Sequence, residues 1–283
     1  MNEEIERFLN EHLWSEETRE KYGRAALLLI SEVADLAGLD ASGLRAWLKR
    51  HAWGSAAEWV AFSASKAFLR WKFGDQHPAL RLKIKRAASP PGRSLKMAQV
   101  RQLLESFDTS GAKGRRDLAI CTLALDSALR SSELCALELA YLDLEAQSLR
   151  VVIKGGEWGE GVYSVYTASC LATWLADRAQ IVREKERAVF VGVGGNTPGL
   201  RMTRCGLGVE VRRWGLRIGI KLSPHDLRRT FGNQVTRAGA PQRVAMLAGR
   251  WKSEKAFERY TLDLEPGDIV QYSPVMRAME DGA

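Results

Sequence analysis

The stretch Ile84–Ser94, IKRAASPPGRS, is the feature that most constrains this chain, because a basic run followed by a proline pair, a glycine and serines can extend neither a helix nor a central strand. It divides 283 residues into two parts, each long enough to bury a core of its own. The expected organisation is a first domain over residues 1–85, a linker over 86–94 and a second domain over 95–283.

Before the linker, apolar residues recur at helical spacing. Ser15 opens a helix in which Tyr22, Leu29, Val33 and Leu36 share a face and which Gly38 can end. ASGLRAWLKRHAW reads as a second helix. Ser55 with Glu58 forms an expected capping box for a third, which Gly74 can stop. Trp47, Trp53, Trp59 and Trp71 belong to this helical core rather than to a base-stacking surface. The first domain is therefore expected to be all helical.

After the linker, Ser94 starts LKMAQVRQLLESF, and GRRDLAICTLALDSAL runs as a helix up to Arg130. The pattern then changes to the β-branched runs SLRVVIK and GVYSVYT around a Gly-rich turn, GGEWGE. Helical periodicity returns from Ala168 onward. The expected fold class is mainly α with a small antiparallel β hairpin or sheet in the second domain.

The excess of 42 Lys and Arg over 34 Asp and Glu, net +8, favours polyanionic partners. By a rough count the charge is about −6 over residues 1–40 and about +8 over 41–90, so the basic surface begins near the second helix. Cys121, Cys135, Cys170 and Cys205 stand far apart without a C-x-x-C pair. They read as reduced core residues rather than a zinc site or disulfide framework, and no metal or other cofactor is expected. The acidic N-terminus lacks a signal layout and no run is long enough to span a bilayer, so the expected location is the cytoplasm, without a membrane partner.

Three stretches concentrate chemistry-bearing side chains: ALRSSELCAL, SPHDLRRTF and LAGRWKSEKAFERYT. In the first, Glu133 lies one turn after Arg130 and can orient its guanidinium; a surface ion pair has the same spacing. In the second, His225 and Arg228 share a helix face and can converge on one anion, with Arg229 beside them as a phosphate contact; a solvated face reads the same. In the third, Phe257 packs and leaves Tyr260 near the end of a short helix.

Together these stretches make the chain resemble the tyrosine recombinase, or phage integrase, family, as a simple two-domain Cre- or Xer-like member, over nearly its whole length. The family's phosphate-binding arginine matches Arg130, its supporting acid Glu133, its H-x-x-R motif His225 and Arg228, and its nucleophile Tyr260. Trp251, nine residues before Tyr260, matches the position where many members carry a second histidine. Arg250 departs from the usual L-G-H wording; in a frame one residue earlier it would take that position and Trp251 would pack. The catalytic lysine of the family's hairpin matches Lys154, the sole lysine between Leu149 and Ala168.

The resemblance implies a helical core-binding domain followed by a catalytic domain that breaks and rejoins DNA through a 3′-phosphotyrosyl intermediate, without metal or ATP. Fixed cations and the Trp251 indole N–H would neutralise the phosphate, His225 would take the tyrosine proton and Lys154 would protonate the leaving 5′-hydroxyl. The expected partner is double-stranded DNA with specific sites. Lys49, Arg50, Lys66, Arg70, Lys83, Lys85, Arg86 and Arg93 are the expected backbone contacts, each equally readable as surface charge. The apolar tail, with Ile269, Val270, Tyr272, Val275, Met276 and Met279, is expected to dock on a neighbouring subunit in a tetramer. With the helical unit starting near Ser15, an additional arm-binding domain is not expected. The competing readings are a type IB topoisomerase and a non-catalytic DNA-binding protein of the same fold.

Overall fold

Helices dominate the computed structural model, which describes residues 3–87, 92–153, 155–195 and 197–258. Contacts divide the chain into two units, Met1–Pro90 and Pro91–Ala283.

The first unit holds four α-helices among its described residues: α1 (Glu3–Asn10), α2 (Glu16–Glu32), α3 (Ala41–Arg50) and α4 (Ser55–Phe73). The short α1 is an element the sequence reading passed over; its Ile5, Phe8 and Leu9, at i, i+3 and i+4, are buried. Ser15 caps α2 by accepting the Thr18 N–H. That helix stops at Glu32 instead of reaching Gly38, because Val33 turns extended and the Asp35 carboxylate takes the Gly38 N–H at 2.9 Å in a competing local turn. The expected Ser55–Glu58 box does not form: Gly54 is the N-cap, its carbonyl receives the Glu58 N–H, and Ser55 is already helical. Trp47 is fully buried and donates its indole N–H to Glu32 at 2.8 Å; Trp53, Trp59 and Trp71 pack at the margin of the same core.

In the second unit, α5 (Met97–Glu105) and α6 (Ala112–Ser127) lead to the short α7 (Ser131–Ala136). A three-stranded antiparallel sheet follows, in the order β1 (Leu142–Asp143), β2 (Ser148–Val152), β3 (Trp158–Val162). Then come α8 (Val165–Ile181), α9 (Arg204–Arg217), α10 (Pro224–Arg237), α11 (Gln242–Gly249) and α12 (Glu254–Glu258). Helix α6 is the axis, packed against α8 and α10 with the fully buried Trp174 and Trp214 beside it.

The hairpin is offset from its sequence reading. Val152 pairs with Trp158 and Arg150 with Glu160, so half of the supposed turn is strand. Gly155 and Gly156, at φ 108° and 83°, compress the reversal into the span between Ile153 and Glu157. The second supposed strand run, from Ser164 on, caps and begins α8 instead, with Ser164 accepting the Thr167 N–H and the Asp126 carboxylate accepting the Ser164 N–H. Cys121, Cys135 and Cys170 are buried thiols, but Cys205 is exposed in the first turn of α9 and is not a core residue. No helix among the described residues is long and apolar enough to cross a membrane. The apolar tail from Ile269 to Met279 lies outside the described residues.

Candidate functional site

Arg130 sits at the N-cap of α7, just beyond the end of α6. Glu133, at the third helical position, is 3% exposed and binds it twice: one carboxylate oxygen accepts the Arg130 N–H at 2.9 Å, the other its Nη1 at 2.6 Å. A buried carboxylate needs such paired donors to offset its lost hydration. The Arg130 side chain stays 37% exposed, so its remaining donors reach solvent while Glu133 fixes the plane of the fork.

His225 and Arg228 both lie on α10, one turn apart, but in opposite environments. His225, in the first turn, keeps an exposed side chain. Even so, partial desolvation by surrounding protein, and then the charges of Arg229, Arg228 and Arg130 working against Asp226, hold its pKa below the ordinary histidine value. The ring is thus biased toward the neutral form that can accept a proton.

Arg228 is completely buried. It donates Nη1 to the Ala128 carbonyl and Nη2 to the Gly249 carbonyl at 2.7 Å, joining the C-terminal ends of α6 and α11. Those ends carry orphan carbonyls and the negative pole of each helix, which is where a buried cation is best tolerated. In this structure Arg228 therefore presents no surface to a phosphate, unlike the expectation from its motif. Its charge acts on His225, and its guanidinium lies 4.4 Å from the Trp251 ring centroid.

Trp251 is 7% exposed, stacked on Phe231 and edge-on to Phe257. Gly249 is required two residues earlier: a Cβ there would sit 1.7 Å from the indole ring. Between them Arg250 adopts a left-handed conformation, φ 57°, and turns inward. Burial pulls its pKa down, against which the Glu133 charge acts. A cleft of about 210 Å³ is lined by Arg130, Ile153, Arg250, Trp251, Lys252 and Ala256. Three chain segments thus meet here, the α6–α7 junction, the hairpin end and the α11–α12 connection with the start of α12, and α10 reaches its wall through Arg228 against the Trp251 ring. Lys252 crosses to Glu157 at 2.6 Å and ties the hairpin to that connection. Lys154 and Tyr260 lie outside the described residues.

The expected phosphate contacts divide by environment. Lys49 and Arg50, in the last turn of α3, are exposed, as are Lys83, Lys85 and Arg86, the last over the Trp59 ring. Lys66 is otherwise engaged: it donates to the Leu80 and Leu82 carbonyls at 2.6 and 3.1 Å, and burial beside Arg70 and Lys83 lowers its pKa. It is a tie between α4 and the following segment rather than an open cation. Arg70 pairs with Asp75 at 2.6 Å, Arg93 donates to the Lys221 carbonyl, and Arg229 is half-buried.

Two features escaped the sequence reading. One is the inward role of Arg250. The other is a cleft of about 1140 Å³ along α10, with Arg93, Lys96, Arg212, Lys221, Asn233 and Arg237 among its walls. Its only sequence signal is the i, i+4 spacing of Asn233 and Arg237 behind Asp226.

A model of the phage integrase family matches residues 93–265. Tyrosine recombinase XerC of Pseudomonas aeruginosa is 32% identical over 263 residues, covering 86% of this chain and 84% of that protein. The XerC of Azotobacter vinelandii is 33% identical over 205 residues, covering 70% and 67%. Among solved structures, the XerH site-specific recombinase bound to palindromic difH substrate is similar with a TM-score of 0.71 at 17% identity, over 90% of this chain and 80% of that one. A lambda integrase dimer bound to a COC′ core site gives a TM-score of 0.71 at 12% identity, over 92% and 95%. These two likenesses concern the fold.

Proposed function

The chain belongs to the phage integrase family and is a tyrosine site-specific recombinase, and we propose that it cuts and rejoins its DNA through Tyr260. The phenolic oxygen attacks a backbone phosphorus, an O–P bond forms, and the bond to the 5′-oxygen breaks. The 3′-phosphotyrosyl ester conserves the energy of the broken bond, so a 5′-hydroxyl of another strand can reverse the step.

Each side chain has a distinct task. Arg130 neutralises the charge that grows on the phosphate, with Glu133 fixing its fork before substrate arrives. Neutral His225 accepts the tyrosine proton, since an unperturbed tyrosine, with a pKa near ~10, is a weak nucleophile at neutral pH. Lys154 protonates the departing oxygen. Arg228 contributes through His225 and through the two helix ends it joins, and Trp251 forms the wall behind Arg130. Residues 1–85 act as the core-binding domain, residues 86–94 as the linker and residues 95–283 as the catalytic domain. The substrate is duplex DNA carrying specific sites, joined in a cytoplasmic tetramer through the tail after Tyr260.

The observation that carries this reading is Glu133: one buried carboxylate holds Arg130 by two hydrogen bonds while leaving its outer edge open beside a cleft. The test is strand exchange between two labelled duplexes that carry the site from the protein's own genomic neighbourhood. Recombinant duplexes, lost without the site, are the expected result. Relaxation of a supercoiled plasmid lacking any such site, without exchange, would favour the topoisomerase reading.

A further inference from the structure

Arg250 is one of three arginines gathered around the candidate site, and the sole one of them whose Nη groups reach both α6 and the sheet. Its side chain is 5% exposed. Nη2 donates to the Ser127 carbonyl at 2.8 Å and lies 3.5 Å from Glu133 Oε2; Nη1 donates to the backbone carbonyls of Glu160 in β3 at 3.1 Å and of Ala248 at 3.0 Å. Glu133 Oε2 is the same atom that accepts the Arg130 N–H. One carboxylate therefore serves two guanidiniums, one part-exposed and one almost wholly buried.

The surroundings are shaped for this side chain. A Cβ on Gly159 would come within 2.7 Å of Arg250 Cδ, and one on Gly161 within 3.1 Å of Nη1, so β3 makes room with two glycines where strands ordinarily carry bulk. The left-handed backbone of Arg250 is unfavourable for a residue with a Cβ, a strain that persists only where neighbouring contacts impose it. Two of the three carbonyls it meets belong to the final turns of α6 and α11. The first of those helices leads straight into Arg130; the second leads into the connection that carries Trp251 and continues toward Tyr260.

We infer that Arg250 is a positioning residue for cleavage: by spanning Ser127, Glu160 and Glu133 it sets Arg130 and the hairpin in register with the segment leading to the nucleophile. This rests on the Tyr260 reading. Both Nη groups of Arg250 are taken up by backbone carbonyls and by Glu133, and it acts through them. A lysine keeps the charge but cannot reach three directions from one planar group.

The test is single-turnover formation of a covalent adduct on a nicked duplex across a range of DNA concentrations, for the wild type, Arg250→Met, Arg250→Lys, Glu133→Gln and Arg250→Met/Glu133→Gln. Arg250→Met is expected to slow the reaction at saturating DNA by about tenfold or more, with the half-saturating DNA concentration unchanged within about twofold. Arg250→Lys is expected to fail likewise, and the double variant to be no slower than the slower single one, since both remove one linkage. Independent, multiplying losses would overturn the inference, as would a wild-type rate in Arg250→Lys, which also decides the matter if Arg250→Met does not fold. A wild type that forms no adduct sinks the Tyr260 reading and this inference with it; a normal wild type beside an unimpaired Arg250→Met sinks this inference alone.

Discussion

Two buried carboxylates of the second unit hold arginines in contrasting ways. Asp117, wholly inside, takes Arg116 Nε at 2.9 Å, Lys113 at 3.0 Å and the Trp214 indole N–H at 3.0 Å, and Arg116 itself is 3% exposed. Glu133 is buried to the same degree, yet one of its arginines, Arg130, is 37% exposed. In the first cluster the arginine is closed in and donates on to the Val191 carbonyl, and the part-exposed Lys113 is spent on a second carboxylate, Glu210 of α9. The second is open on one side. A buried anion that fixes a cation at the edge of a cleft prepares that cation for another anion.

The largest expected effect separates the two. Asp117→Ala should lower the unfolding free energy by about 3–5 kcal/mol, because Arg116 would remain buried without its counter-charge. Urea unfolding measures this, and a loss below about 1 kcal/mol would mean the cluster is not closed. Arg130→Ala should do the reverse, slowing cleavage by about 10²–10³-fold while lowering the unfolding free energy by less than Asp117→Ala does, because the residue-130 N–H and Arg250 remain on the buried Glu133 carboxylate. Equal damage to stability and rate would erase the contrast.

A smaller effect comes from pH. Because the folded pKa of His225 is depressed, the unfolded chain binds more protons there, so this residue's contribution to stability is present above pH 6.5 and is lost as pH falls through the folded value. Cleavage that needs neutral His225 should fall off on the same acidic side. Arg229→Ala removes a neighbouring cation, so the acid limb of the rate profile should move to higher pH; an unmoved limb would assign it to another group. The smallest effect repeats the closed-and-open contrast in the first unit. Lys66→Ala should cost about 1–2 kcal/mol of stability through its lost carbonyl bonds, whereas Lys49→Ala should leave stability alone and reduce the salt dependence of DNA binding by about one unit of slope. Salt titrations of binding for both variants check it.

The same distinction explains what could be read in advance. Arg130, Glu133 and His225 were legible because a one-turn spacing already places such groups together, whatever the tertiary fold does. The helices were legible from their apolar stripes, but their ends were set by local competition: the Asp35 turn cuts α2 short, and the two turn glycines extend β3 into Trp158. What no spacing revealed is direction. Arg228 reads as an anion-binding side chain of its motif and Arg250 as a departure from the L-G-H wording, and the fold turns both inward onto the carbonyl ends of α6 and α11. Those ends are brought together by packing between residues one hundred or more positions apart, as in the bonds from Arg228 to Ala128 and from Arg250 to Ser127.

The central claim, that Tyr260 forms the covalent link, is tested most directly by incubating the protein with a nicked duplex from its genomic neighbourhood in the presence of a metal chelator and separating the products under denaturing conditions. The account predicts a protein–DNA adduct that survives denaturation, is removed by protease and is absent from Tyr260→Phe. An adduct of equal yield in Tyr260→Phe, or none from the wild type on DNA that it demonstrably binds, would contradict it.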